Sequence, residues 1–275
     1  MPTESHSFEA ADALLRVRAL AKKYWSRRGV FARRILVGAA NNVTFDIPVG
    51  KTLALVGSSG SGKSTVARCV ARIERPDAGE IWVNNRDIAT LRRSELVRFP
   101  TDVQMVFQDP TTSMNPRFSA RETIEEPLLV RCRTCREERR TRVEELFREV
   151  GLPPELLHRS VREFSGGQRQ RIAIARALAL RPRLLILDEA FTGLDLSTQA
   201  QIANLLLELQ RAHSLSYLLI SHDVRLVSRM ADTIAVMSEG EIVEQGTAER
   251  VLADPLHPKT RALVAAAQGL QATPS

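Results

Sequence analysis

The stretch KTLALVGSSGSGKSTVARCVARI, residues 51–73, leaves a chain few ways to fold. A short apolar run reads as a buried strand, a Gly/Ser run as a tight loop, and the remainder has helical spacing. Within it GSSGSGKS, Gly57–Ser64, matches the phosphate-binding pattern G-x-x-x-x-G-K-[ST] in the strand–loop–helix setting the pattern needs. Glycines let backbone N–H groups converge on phosphate oxygens, and the helix N-terminus adds favourable partial charge. The candidate cradle is therefore Gly57, Ser58, Ser59, Gly60, Ser61, Gly62, Lys63, Ser64 and Thr65. Lys63 can reach the terminal phosphates of a nucleotide, and the Ser64 hydroxyl can ligate Mg2+.

Around this loop the pattern alternates. In NNVTFDIPVGK, Val43, Phe45 and Ile47 alternate with polar residues, and GEIWVNNRDI repeats the habit with Ile81 and Val83, so both read as half-buried strands. SRRGVFARR, residues 26–34, packs four arginines around a glycine and reads as a solvated loop, or one facing a membrane or partner. From about Glu122 to Leu180 the chain reads as helices, with Val143, Leu146, Phe147 and Val150 on one face. Two apolar strands, LLIL and YLLIS, end in Asp188-Glu189 and His222-Asp223, and a hairpin turns at Glu239-Gly240. The expected fold is α/β: a mostly parallel sheet of the phosphate-loop kind, preceded by strands and carrying a helical insertion. In such sheets ligands gather at the carboxyl ends of the strands.

Two further segments carry chemistry. In LLILDE, Leu184–Glu189, Asp188 emerges at a strand end where a carboxylate can hold magnesium through water, and Glu189 can polarise an attacking water. In REFSGGQRQR, Arg162–Arg171, Ser165 and Gln168 have capping-box spacing at the start of a helix. Gly166 and Gly167 leave N–H groups uncovered there, giving a second anion site or an ordinary capped helix.

The phosphate loop, the FSGGQ segment and LLILDE in this order resemble the ATP-binding-cassette ATPases over nearly the whole chain. The resemblance implies an N-terminal antiparallel β subdomain and hydrolysis of ATP to ADP and phosphate. It also implies that Ser165, Gly166, Gly167 and Gln168 contact the γ-phosphate held by a second subunit. By the same resemblance Tyr24, with Trp25 as its neighbouring candidate, stacks on adenine. Gln108 senses magnesium and water and couples to the membrane subunit. Asp195, in TGLD, crosses the dimer interface, and His222 is the switch histidine. The implied catalytic set is Glu189, His222, Gln108 and Lys63, and the implied metal set is Ser64, Gln108 and Asp188.

QDPTTSMNPR, DPLHPKTRALVAA and LDEAFTGLDLSTQAQI look like the ATPase subunits of bacterial oligopeptide, dipeptide and nickel importers. Met114, Lys259 and Ser58 depart from the group's usual leucine, tyrosine and glutamate. Many of its members continue into a cysteine-containing tail, whereas this sequence has no cysteine beyond Cys135, so no iron–sulfur cluster is expected. Cys69, Cys132 and Cys135 form no disulfide framework and suit a reducing cytosol. The expected organisation is a cassette over residues 13–254, with a helical subdomain at about 109–180, and a short helical tail over residues 255–275.

Composition narrows the partners. Sparse aromatics argue against a base-stacking single-strand binder. The net charge of +7, with only five lysines among 39 basic residues, fits the composition of a GC-rich genome or a surface meeting phosphate-rich partners or anionic lipid headgroups. No apolar run spans a membrane, and the N-terminal segment lacks the form of a secretory signal. The resulting expectation is a peripheral subunit on the cytoplasmic face of the cell membrane. Its partners would be a second cassette, identical or related, two permease subunits and, indirectly, a solute-binding protein. The alternative is a cassette protein acting on nucleic acid or ribosomes, though neither a coiled coil, zinc modules nor a tandem cassette is visible. Lys63, Glu189 and His222 all stand in place, which disfavours a cassette that binds ATP without hydrolysing it.

Overall fold

A computed structural model of the protein describes residues 13–27, 34–92, 95, 102–131 and 135–269. Strands β1 (Ala13–Arg27) and β2 (Arg34–Pro48) form a long antiparallel hairpin in which Val17 faces Phe45 and Leu20 faces Val43. The central sheet begins with β3 (Thr52–Val56). Strand β4 (Ala78–Val83) pairs with the other side of β1, and the short β5 (Arg86–Asp87) pairs with β4, giving the order β2-β1-β4-β5. Val43, Phe45, Ile47, Ile81 and Val83 are all buried, as their alternation with polar neighbours predicts.

The second sheet is built from β3, β6 (Val103–Val106), β7 (Leu184–Asp188), β8 (Ser216–Ser221), β9 (Thr233–Ser238) and β10 (Glu241–Thr247). Its order is β10-β9-β3-β8-β7-β6. Every pairing from β9 to β6 is parallel, and β10 closes one edge antiparallel. Such strands are covered on both faces, which is why they read as continuous apolar runs. Alternate residues serve two separate cores. Leu53, Leu55, Leu184, Ile186, Leu218 and Ile220 join the core under the first sheet and helix α1 (Lys63–Val70). Ala54, Val56, Leu185, Leu187, Tyr217 and Leu219 join the other.

The helical insertion carries α2 (Pro110–Ser113), α3 (Ala120–Arg131), α4 (Arg136–Glu149) and α5 (Gly166–Leu178), and the second core extends into the last three. Helix α4 buries Val143, Leu146 and Phe147, with Val150 at its C-terminal cap, each large apolar side chain contributing about 1.5–3 kcal/mol. Arg176 on α5 donates to the Ser113 carbonyl at 2.8 Å and to Glu126 at 2.7 Å, tying α2, α3 and α5 together. The second core also receives α6 (Leu196–His213) and α7 (Val224–Met230).

The arginine-rich loop expected at residues 26–34 is shorter than its sequence suggests. The ladder runs on to Arg27 opposite Arg34, because the flanking aromatic and β-branched residues favour extended pairing; the tip lies outside the described residues. The hairpin at Glu239-Gly240 forms as expected, with φ of 50° and 86° at its two central residues, the pattern of a type I′ turn. Helices α8 (Ala248–Ala253) and α9 (Pro258–Gly269) close the described chain.

Candidate active site

Register brings the candidate residues together. In the parallel sheet Val56 lies opposite Ser221, Asp188 opposite Ile220, and Val106 opposite Leu187. Gly57, His222, Glu189 and Gln108 therefore leave the same carboxyl edge, on four adjacent strands. This is where an open α/β sheet leaves room for a ligand.

The loop after β3 has a shape only glycine allows at two points. A Cβ on Gly57, at φ +152°, would lie 2.1 Å from the Met237 carbonyl oxygen. One on Gly62, at φ +106°, would lie 1.8 Å from that of Ala39. Gly62 caps α1 without any side-chain hydrogen bond, so the first N–H groups of the helix are left for the loop to present. Beside Gly60 a Cβ would meet nothing within 4 Å, which leaves clear space over the loop.

Lys63 is buried and folds its ammonium back onto the carbonyl oxygens of Gly57 at 2.9 Å and Ser58 at 2.8 Å, with Ser61 Oγ at 3.3 Å. Burial lowers its pKa, and the nearby charges of Glu189 and Asp188 oppose that shift. Ser64 Oγ donates to Asp188 Oδ1 at 2.8 Å. Burial raises the Asp188 pKa, while the Ser64 hydrogen bond pulls it back. A hydroxyl and a carboxylate at this separation form the hard oxygen pair that suits Mg2+.

Glu189 sits in the left-handed region at φ 47°, and its N–H donates to the Ile220 carbonyl at 3.0 Å. A bulky residue held there costs roughly 1–3 kcal/mol, a strain that clusters at functional sites. The conformation turns the Glu189 carboxyl towards His222, whose Nδ1 lies 3.7 Å from Oε1; Glu189 is 18% exposed and His222 60%. A shielded carboxylate beside an exposed imidazole can hold a water between protein and phosphate.

Gln108 is exposed two residues beyond β6. Tyr24, on β1, donates its hydroxyl to Glu74 and has the Lys22 ammonium 5.6 Å from its ring centre. Burial and the bond to Glu74 push its phenol up to about 12, and Thr65 on α1 opposes the shift, placing Tyr24 beside the phosphate loop. The Trp25 side chain lies outside the described residues, as does Cys132. Cys135 accepts from the Glu138 N–H at the cap of α4.

The remaining residues form a second group. Ser165 accepts from the Gln168 N–H at 3.3 Å, and Gln168 Oε1 accepts from the Ser165 N–H at 2.9 Å, the predicted capping box. Ser165 and Gly166 are exposed. The neighbours of the glycines are Leu194 and Thr198 rather than the phosphate loop. Asp195, also exposed, caps α6: its two carboxylate oxygens accept from Thr198 N and Thr198 Oγ1, both at 2.8 Å. Sequence reasoning does not single out Thr198, although an aspartate three residues ahead of it at a helix start is a capping signal.

The family model described as ABC transporter matches residues 40–192. The chain belongs to the ABC transporter family of ATPases. It is 42% identical to the di/tripeptide transport ATP-binding protein DppF of Pseudomonas aeruginosa, over 96% of this chain and 82% of that protein. It is 45% identical to a probable peptide ABC transporter ATP-binding protein of Sinorhizobium fredii, over 94% of this chain and 73% of that protein. Against the glutathione import ATP-binding protein GsiA of Escherichia coli the identity is 46%, over 96% of this chain and 43% of GsiA. Among solved structures, the ATP-binding cassette MJ0796 in a post-hydrolysis dimer bound to ADP and Pi superposes at TM-score 0.75. That match has 28% identity and covers 85% of this chain and 98% of the other. A second, cbiO1 of Clostridium perfringens, part of an ABC transporter complex, gives 0.77 at 28% identity, over 88% of this chain and 92% of the other. The ABC fold expected from the sequence is thus the fold of this chain.

Proposed function

We propose that this chain is the ATP-hydrolysing subunit of a bacterial importer for peptides or a related small solute. The observation that carries the reading is the edge where Gly57–Thr65, Asp188, Glu189 and His222 converge. The transport names of its relatives supply the solute class.

In this reading the loop amides and Lys63 hold the β- and γ-phosphates, and the Tyr24 ring packs on the adenine. Ser64 and Asp188, with Gln108, would hold Mg2+, whose charge would offset that building on the phosphate oxygens. Glu189 orients the attacking water and takes its proton, while His222 donates to the γ-phosphate. The leaving group is ADP. Ser165, Gly166, Gly167 and Gln168 close over the nucleotide of a second cassette, identical or related, and Asp195 lies at that interface. Positioning and preorganised charge supply most of the acceleration. The cassette occupies residues 13–254, with its helical subdomain at about 109–180 and a C-terminal helical tail. It works at the cytoplasmic face of the membrane, against two permease subunits fed indirectly by a solute-binding protein. Among the described residues no helix is long and apolar enough to cross a membrane.

The test is Glu189→Gln, which keeps shape and removes the base. ATPase turnover should fall by at least about 100-fold while ATP binding, measured by calorimetry, stays within about threefold. Wild-type turnover in that variant would remove Glu189 from the mechanism.

A further inference from the structure

Gly167 is the second residue of α5 and has no left-handed φ that would call for a glycine, and within a helix alanine is normally the better residue. A Cβ at this position, however, would meet Thr198 Cγ2 at 2.5 Å, with Thr198 Cβ at 3.8 Å and Oγ1 at 3.9 Å. The same test at Gly166 finds only Leu194 Cδ2 at 3.5 Å, an ordinary contact. The methyl of Thr198 is not free to swing aside. Its hydroxyl donates to Asp195 Oδ2 at 2.8 Å, and its own N–H donates to Asp195 Oδ1 at 2.8 Å. A β-branched side chain has few χ1 choices, so fixing the hydroxyl also fixes the methyl.

We propose that Thr198 is a positioning residue. Through its hydroxyl it holds Asp195, and through its methyl it seats against Gly167, so the start of α5 and the start of α6 keep one spacing. Gly167, half-buried, and Asp195, exposed, both belong to the group that faces a second cassette in the proposed function, and this inference rests on that reading. Two surfaces that must meet one partner at once need a fixed separation, and misplacement by an ångström costs rate rather than ground-state affinity. On this account the Gly167 backbone N–H serves the phosphate, and its lack of a side chain serves Thr198.

The test is a double-mutant cycle between Gly167→Ala and Thr198→Ser, the latter keeping the hydroxyl and deleting the methyl. Gly167→Ala alone should lower the thermal midpoint of the purified chain by about 3–6 °C, against the sign expected from helix propensity. It should also cut kcat at least about tenfold with KM within about twofold. In the Thr198→Ser background the same alanine should leave the midpoint unchanged or raised, and kcat should recover to within about threefold of Thr198→Ser. Equal losses in both backgrounds, a raised midpoint for Gly167→Ala alone, or a midpoint cycle without any effect on kcat would each overturn the proposal. Ser165→Ala, assayed alongside, reports on the underlying reading. An unchanged rate there defeats the partner-facing role of the group whatever the midpoints show.

Discussion

Gly60 and Gly62 both have positive φ, at +79° and +106°, yet they are not equivalent positions. An alanine at Gly60 meets only the left-handed penalty, about 1–2 kcal/mol, because nothing lies near its Cβ. At Gly62 the Cβ would also collide with the Ala39 carbonyl at 1.8 Å, a backbone atom of β2 that cannot step aside. Gly62→Ala should therefore cost about 3 kcal/mol or more in urea unfolding and abolish ATP binding, and Gly60→Ala about half as much. Equal losses would show that the contact with β2 does not shape the loop. The loop, Ser64 and Asp188 were legible in the sequence because their pattern is short and their contacts follow from strand ends meeting at one edge. The left-handed turn at Glu189 was not, since it depends on a hydrogen bond to Ile220 from another strand. Nor was the Thr198 contact, which exists only once α5 and α6 pack.

At the scale of elements, the last described segment is fastened by one carboxylate. Glu244 on β10 is nearly buried and accepts from the Leu256 N–H at 3.1 Å, the His257 N–H at 2.9 Å and the Arg250 guanidinium at 3.0 Å. Burial pushes its carboxyl up, but its hydrogen-bond donors, those two backbone N–H groups and Arg250 among them, outweigh it and hold the pKa at about 2, against an ordinary 4.5. A pKa depressed on folding contributes stability that is fully present above pH 4.5 and disappears as the pH falls towards 2. Glu244→Gln should cost about 1–3 kcal/mol at neutral pH and flatten that acid-side loss, as read from urea midpoints between pH 6 and pH 3. A variant with the wild-type acid profile would show that Glu244 does not fasten the segment. The sequence marks this tail as helical, and α9 forms; the anchor is invisible there because its donors follow Glu244 by six, 12 and 13 residues with no periodicity to link them. The strands were easier to read, since β3, β7 and β8, buried at every residue, stand in the sequence as short continuous apolar runs, whereas the apolar face of α6, with Ile202, Leu205, Leu206 and Leu209, went unread there.

For the whole molecule, the two functional groups sit apart within one chain: the loop, Asp188, Glu189 and His222 on the sheet edge, and Ser165–Gln168 with Asp195 at the starts of α5 and α6. The account requires each group to serve a different nucleotide, so that activity belongs to a pair of cassettes. Complementation tests this directly. Lys63→Ala removes the nucleotide grip and keeps an intact Ser165; Ser165→Ala does the reverse. Each variant alone should be nearly inactive. Mixed one to one, random pairing into two-fold dimers should restore about a quarter of the wild-type rate, because a mixed dimer contains one site with both halves intact. A mixture no faster than the sum of its components would contradict the account.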